Sequence, residues 1–218
     1  MRVLLYNWFR GAGWHACSEA GMAPKLRASA RAVVRFGGPA HWFSAASLCF
    51  LVLWTGLLAL APANMLGDPG TLWHTIAGER MLETGAVIRT DPFSFTCQGR
   101  PWVAQQWLGE IVMALLHRLA GLDAVVLAAV TILAATYAWL FGRLLRSGLS
   151  WPRAAVLLGL VLGASSYHFL PRPHLATIVL MAGLFALLLD VEAGRRSPRW
   201  LLTLPPLYVL WSNIHGGA

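Results

Sequence analysis

"AQQWLGEIVMALLHRLAG", Ala104 to Gly121, is nearly apolar enough to cross a membrane, and whether it does so decides the side on which every later loop of the chain emerges. Leu108, Ile111, Val112, Leu115, Leu116 and Leu119 recur at i, i+3, i+4, i+7, i+8 and i+11, which gathers them on one face of an α-helix. Gln106, Glu110 and His117 fall on the opposite face, with Arg118 at its flank. A helix that keeps polar groups along one side lies in the interface more readily than it spans. The stretch from Ala104 to Ala120 is therefore expected along a membrane surface.

The rest of the chain supplies the membrane. Of 218 residues, 57% are hydrophobic and only 12% charged, against about 25% charged in an ordinary soluble domain, and 11 are Trp. Mean hydropathy is +0.60. Charge-free runs long enough, or nearly long enough, to span are read at Phe43–Ala61, Ala124–Phe141, Ala154–Leu170, Ala176–Leu189 and Trp200–Trp211, the last interrupted by Pro205 and Pro206, where a kink or break is expected. The formal charge of +8 sits in short Lys/Arg groups beside these runs, the pattern of cytoplasmic membrane edges, and does not point to nucleic acid. Leaving Ala104–Ala120 on the surface places Arg143, Arg146, Arg153, Arg195, Arg196 and Arg199 on the same side as the basic N-terminus, as the positive-inside rule requires.

The fold class read from this pattern is all-α, a polytopic helical membrane protein. Residues 1–41 form a basic cytoplasmic tail, within which Met22 is an alternative start that would make 1–21 an over-called leader. Residues 42–218 form the transmembrane domain, with an extracytoplasmic loop over 66–123. That topology brings three polar motifs to one face: the loop "GDPGTLWHTIAGERMLETGAVIRTDPFSF" (Gly67–Phe95), the turn "LPRPH" (Leu170–His174) and "WSNIHGG" (Trp211–Gly217).

The order of these motifs resembles the GT-C glycosyltransferase superfamily in its bacterial members: one span, "DPGTLWH", "TDPFSFT", "GRPWV" followed by "WL-x-E" on an amphipathic helix, then "RPH" and "W-x-N-x-HGG". The resemblance covers about residues 43–218 and is most specific over Asp68–Leu108. It implies a GT-C-like fold with juxtamembrane helices in the first external loop. It further implies inverting transfer of a sugar from a polyprenyl-phosphate carrier, at the outer face of a bacterial inner membrane, to an acceptor that the sequence does not identify. The chain departs from the superfamily at Gly70, where D-P-D is common, and at Gln105-Gln106, where H-E is common.

Within that frame each residue has two readings. Inverting transfer needs a base for the acceptor hydroxyl, and Asp68 at the exit of the first span is the candidate; Asp68-Pro69 is equally good helix N-cap chemistry. Asp91, before Pro92, is a substrate-binding candidate or the head of an Asx turn. His74, beside Trp73, is a sugar or phosphate contact or part of an interfacial belt. Arg172, between two prolines, offers a bidentate grip on a departing lipid phosphate, with His174 next to it. Asn213 and His215 are substrate contacts or helix-end caps, with Gly216 and Gly217 allowing close approach. Glu79, Arg80 and Glu83 read as a solvated face.

No cofactor or metal is expected: the histidines lack metal spacing, and Gly70 removes a DxD-like pair. Cys17, Cys49 and Cys97 support neither a disulfide framework nor a zinc site. The expected partners are a lipid-linked sugar donor and membrane lipid. The ending at Ala218 reads as that of an N-terminal portion. A non-catalytic GT-C-like scaffold that binds lipid is the alternative, favoured by Gly70 and the two glutamines.

Overall fold

The computed structural model describes residues 39–216, with side chains described from 45 onward except over 61–64. The basic N-terminal segment, the alternative start at Met22, Cys17 and Gly217 lie outside them. Six α-helices follow in order: α1 (Pro39–Asn64), α2 (Pro69–Thr84), α3 (Trp107–Arg146), α4 (Trp151–Ser165), α5 (Leu175–Glu192) and α6 (Leu204–Ile214). Short 3₁₀ turns, Ser166–His168 and Pro198–Thr203, precede α5 and α6. No strand occurs among the described residues; Thr90 and Pro101 form one isolated antiparallel bridge. The class is all-α, and α3 and α5 are long and apolar enough to cross a membrane.

Helix α3 is the hub, packing against α1, α2, α4, α5 and α6. It is two helical arms joined at a break, Ala120 (φ −155°, ψ 35°) and Gly121 (φ 67°, ψ −156°). The second torsion pair suits only glycine, which ends the first arm and re-aims the second. Val126, Val130, Leu133 and Tyr137 of the second arm bury themselves against Leu53, Trp54 and Leu57 of α1 and Leu158 of α4, making the main core. A smaller core under the first loop joins Ala77 and Met81 of α2 to Ile88, Trp102 and Ile111.

The first arm departs from its expected environment in one respect. Its polar face is covered by α2 at one end: Glu110 is buried, while further along Glu79, read as solvated, takes a hydrogen bond from Arg118 Nε at 2.7 Å and meets His117 Nδ1 at 3.3 Å, with His117 and Arg118 still reaching water. The apolar stripe stays bare at Val112, Leu115 and Leu119. Polar side chains satisfy one another between two helices, and burial there costs less than it would alone.

One expected break forms and one expected span is shortened. Trp200–Trp211 is broken as expected, because a new helix begins at the prolines; Pro205 and Pro206 sit in the first turn of α6, where no N–H is required of them. The helix expected to Leu170 ends at Ser165 and closes with the 3₁₀ turn. At the far ends of α3 and α5, Arg143 grips Asp190 with both terminal nitrogens at 3.1 and 2.9 Å, and Arg195 joins at 2.8 Å. That basic end lies along the second arm from the break, residues 122–146, or about 37 Å at 1.5 Å per residue.

Candidate functional site

At the opposite end the chain assembles its polar motifs. Asp68 is the N-cap of α2: its backbone is extended (φ −99°, ψ 116°), Pro69 opens the helix, and its Oδ1 accepts from the Gly70 N–H at 3.2 Å. The same carboxylate takes both hydrogen bonds of a fork from Arg172, Nε to Oδ2 and Nη2 to Oδ1. Its side chain is 12% exposed. The Arg172 bond holds the Asp68 carboxyl below its ordinary range against the opposing effect of burial, helped by the Gly70 N–H. Arg172 is raised in return.

Gly70 explains how the pair fits. A β-carbon there would stand 2.5 Å from Arg172 Cζ and 2.6 Å from Nε, so the guanidinium lies directly on the helix backbone. The residue that looks like a missing carboxylate is the space occupied by a cation. Arg172 is aimed from a short turn: its N–H bonds the Leu170 carbonyl at 2.8 Å, its carbonyl accepts from the Leu175 N–H at 3.1 Å, and Pro171 and Pro173 are buried on either side. Pro173 is seated on Gly109, where a β-carbon would meet it at 2.7 Å.

Four residues along α2 from Gly70, and so on the same helical stripe, stands His74. Its Nδ1 is 2.9 Å from Glu110 Oε1 in the first turn of α3, with side chains 14% and 6% exposed. Four residues further, Gly78 lies so close to the Glu110 carbonyl that any side chain would collide with it. The stripe Gly70, His74, Gly78 thus presents one imidazole between two points of close backbone approach. Thr71, at the start of the helix, holds a fully buried hydroxyl without a hydrogen-bond partner, the only such side chain among the described residues.

The remaining residues close the site from α5 and α6. His174 Nε2 meets the His168 carbonyl at 2.8 Å, and its ring stands 6.1 Å from that of His168 and 6.2 Å from that of His215. Burial lowers the His174 pKa, opposed by the His168 carbonyl, and burial lowers that of His215 too. His215 Nδ1 meets Thr177 Oγ1 at 2.9 Å, and that oxygen accepts from Trp211 Nε1 at 2.8 Å. Asn213 accepts from Trp107 Nε1 at 2.6 Å and donates to the Val209 carbonyl at 2.7 Å, so both ends of its amide tie α6 to itself and to α3. Gln105 packs against Gly216, 3.0 Å from where a β-carbon would be.

The structure therefore brings Asp68 to Arg172, His74 to Glu110, and His174 to His215, with Asn213 at the α3–α6 joint. Asp91 stands apart in its bonding. Its carboxylate accepts from the Phe93 and Ser94 N–H groups at 2.8 and 3.0 Å and from the Ser94 hydroxyl, an Asx turn closed within its own loop. Those bonds, the Ser94 hydroxyl first, hold its carboxyl low. Trp107 and Thr177, which tie α3 and α5 to α6, carry no signal in the sequence, and Glu110 and Gln105 carry none that marks them as site residues. Glu110 was visible only as one member of a polar helix face, and the signal that singles it out, a glycine on α2 at its crossing point, emerges only when the two helices are paired.

Beside Arg172 opens an apolar cavity of about 470 Å³ between both arms of α3, the start of α5 and Ile214. Val112, Leu116, Val125, Ile132 and Val179 are among its walls, and Arg172 is the one charged residue in its lining. Such a shape offers hydrocarbon contact over most of its wall and one guanidinium within it. Among the described residues no three His, Cys, Asp or Glu side chains converge to hold a metal ion. Neither a family model, nor a curated protein, nor a solved structure matches the chain.

Proposed function

We propose that this chain carries the donor-binding part of a GT-C-type membrane glycosyltransferase, one that takes a sugar from a polyprenyl-phosphate carrier at the extracytoplasmic face of a bacterial inner membrane. The observation that supports this most is Arg172, the single cation in the wall of an apolar cavity. A lipid phosphate has that same polarity: a hydrocarbon chain that leaves water for the cavity, and an anion that matches a guanidinium. The Asp68 pair uses Nε and Nη2, which leaves Nη1 for a phosphate oxygen. Placement in a bilayer accords with the bare apolar faces of α1, α4 and α5, where Val52, Leu60, Val156, Leu160 and Phe185 are exposed.

Binding of a labelled polyprenyl phosphate to the protein in lipid nanodiscs tests the reading. Arg172→Gln is expected to weaken it by about tenfold or more, the range of one lost charge-assisted hydrogen bond, while the uncharged polyprenol binds parent and variant alike. Equal binding of the phosphate to both would sink the proposal. A non-catalytic lipid-binding scaffold is the second reading, and the engagement of both Asp68 oxygens by Arg172 favours it, since a carboxylate so held is a poor proton acceptor. The two readings part on transfer: the first expects sugar to leave the carrier, the second expects binding alone.

A further inference from the structure

Resting on the transferase reading, the geometry points to His74, oriented by Glu110, as the group that takes the acceptor's proton, while Asp68 positions Arg172 for the phosphate. Three observations carry this. The Asp68 carboxylate is committed three times over, to the α2 N-terminus and twice to Arg172, so using it as a base would dismantle the clamp on the leaving group. The His74–Glu110 contact has the arrangement of a base and its orienting carboxylate: with Nδ1–H donated to Oε1 at 2.9 Å, the lone pair is on Nε2. Finally, Gly70, on which Arg172 rests, and His74 stand one turn apart on α2, about 6 Å at 1.5 Å per residue, which is the scale of one sugar ring beside its phosphate.

Burial of Glu110 is otherwise hard to account for. It is a carboxylate at 5% exposure whose side-chain partner is a histidine, and it reaches that partner because Gly78 lets the α2 and α3 backbones meet. Of the charged and titratable groups, Glu110 of α3 meets the ring directly, and His215 at the end of α6 lies within electrostatic reach of it.

The acceptor hydroxyl oxygen bonds to the anomeric carbon on the face opposite the phosphate. The bond from that carbon to the phosphate oxygen breaks, and its electron pair stays on the phosphate beside Arg172. The hydroxyl proton passes to His74 Nε2, giving an imidazolium against the Glu110 carboxylate, and leaves to water when the product departs.

The test uses the whole chain in nanodiscs with a polyprenyl-phosphate sugar and has two readouts. Histidine ¹⁵N NMR is expected to show His74 protonated at Nδ1 and bare at Nε2, with that preference lost in Glu110→Gln. Sugar release from the carrier, with water as the hydroxyl acceptor, is expected to fall by about 10² to 10⁴ in His74→Gln, the usual worth of a positioned base. Glu110→Gln is expected to lower kcat with the donor KM little changed, and Glu110→Asp to recover part of it, which a merely structural glutamate would not do. Asp68→Asn is expected to raise the donor KM more than it lowers kcat. If His74→Gln turns over like the parent, or Nε2 carries the proton, the assignment falls and the transferase reading stands. If the parent binds the phosphate lipid but releases no sugar, both fall, and the scaffold reading replaces them.

Discussion

Gly70 and Gly78 differ in what a methyl group would meet, and two expected outcomes follow at the scale of single residues. At Gly70 the obstacle is the tip of Arg172, a flexible side chain that can move aside. Gly70→Ala should therefore leave thermal stability within about 1 kcal/mol, the helix-propensity gain offsetting much of the lost pair. The same variant should weaken polyprenyl-phosphate binding, as Arg172→Gln does, and melting curves with lipid titrations on one preparation would separate the two effects. The Asp68–Arg172 pair also has a pH signature. A carboxyl whose folded pKa lies below its unfolded one stabilises the protein above the ordinary carboxylate pKa of about 3.9, and that contribution fades as pH falls through the lower, folded value. The Tm difference between parent and Asp68→Asn should accordingly shrink as pH is lowered from neutral towards 3; a constant gap would show that the pair contributes nothing to it.

For the helix elements, Gly78→Ala meets a backbone carbonyl, which cannot swing away. The α2–α3 crossing must open, at a cost in the range of about 1–3 kcal/mol seen for overpacked cores, and the His74–Glu110 contact should lengthen with it. Urea unfolding would show a reduced midpoint, in contrast to Gly70→Ala. Helix existence was legible in the sequence, because Asp68-Pro69 marks a start and the apolar runs mark lengths, whereas Pro205 and Pro206 read as an interruption within a span and turn out to open α6. The pairing of elements was less so. Glu110 read as part of a polar face turned to water and is buried, since periodicity tells which residues share a side of a helix and not what covers that side. Arg172 was legible as a cation out of place, yet its partner at Asp68 lies 104 positions away and is joined to it only through an absent β-carbon at Gly70. Asp91 shows the opposite case, where a local motif was enough: the Asx turn expected from Asp-Pro is the turn that forms.

Across the whole molecule, the basic cluster at the ends of α3 and α5 and the histidine-rich site at their beginnings lie at opposite ends of the bundle. Under the proposed bilayer placement, a cysteine at Gln98 should react with an impermeant thiol reagent from outside and one at Ser147 only from inside, measured in a background where Cys97 is serine. Labelling of both from one side would overturn that placement. The break at Ala120–Gly121 gives this arrangement its purpose. A straight helix of α3's 40 residues would reach about 60 Å, twice the hydrocarbon thickness of a bilayer. Folded at Gly121, one helix instead supplies two walls of the same cavity, Val112 and Leu116 from one arm and Val125 and Ile132 from the other. The enclosure is thus a corner with one apolar wall from each arm, and under the proposed lipid-phosphate reading the hydrocarbon chain of a guest would be held on two sides by a single helix.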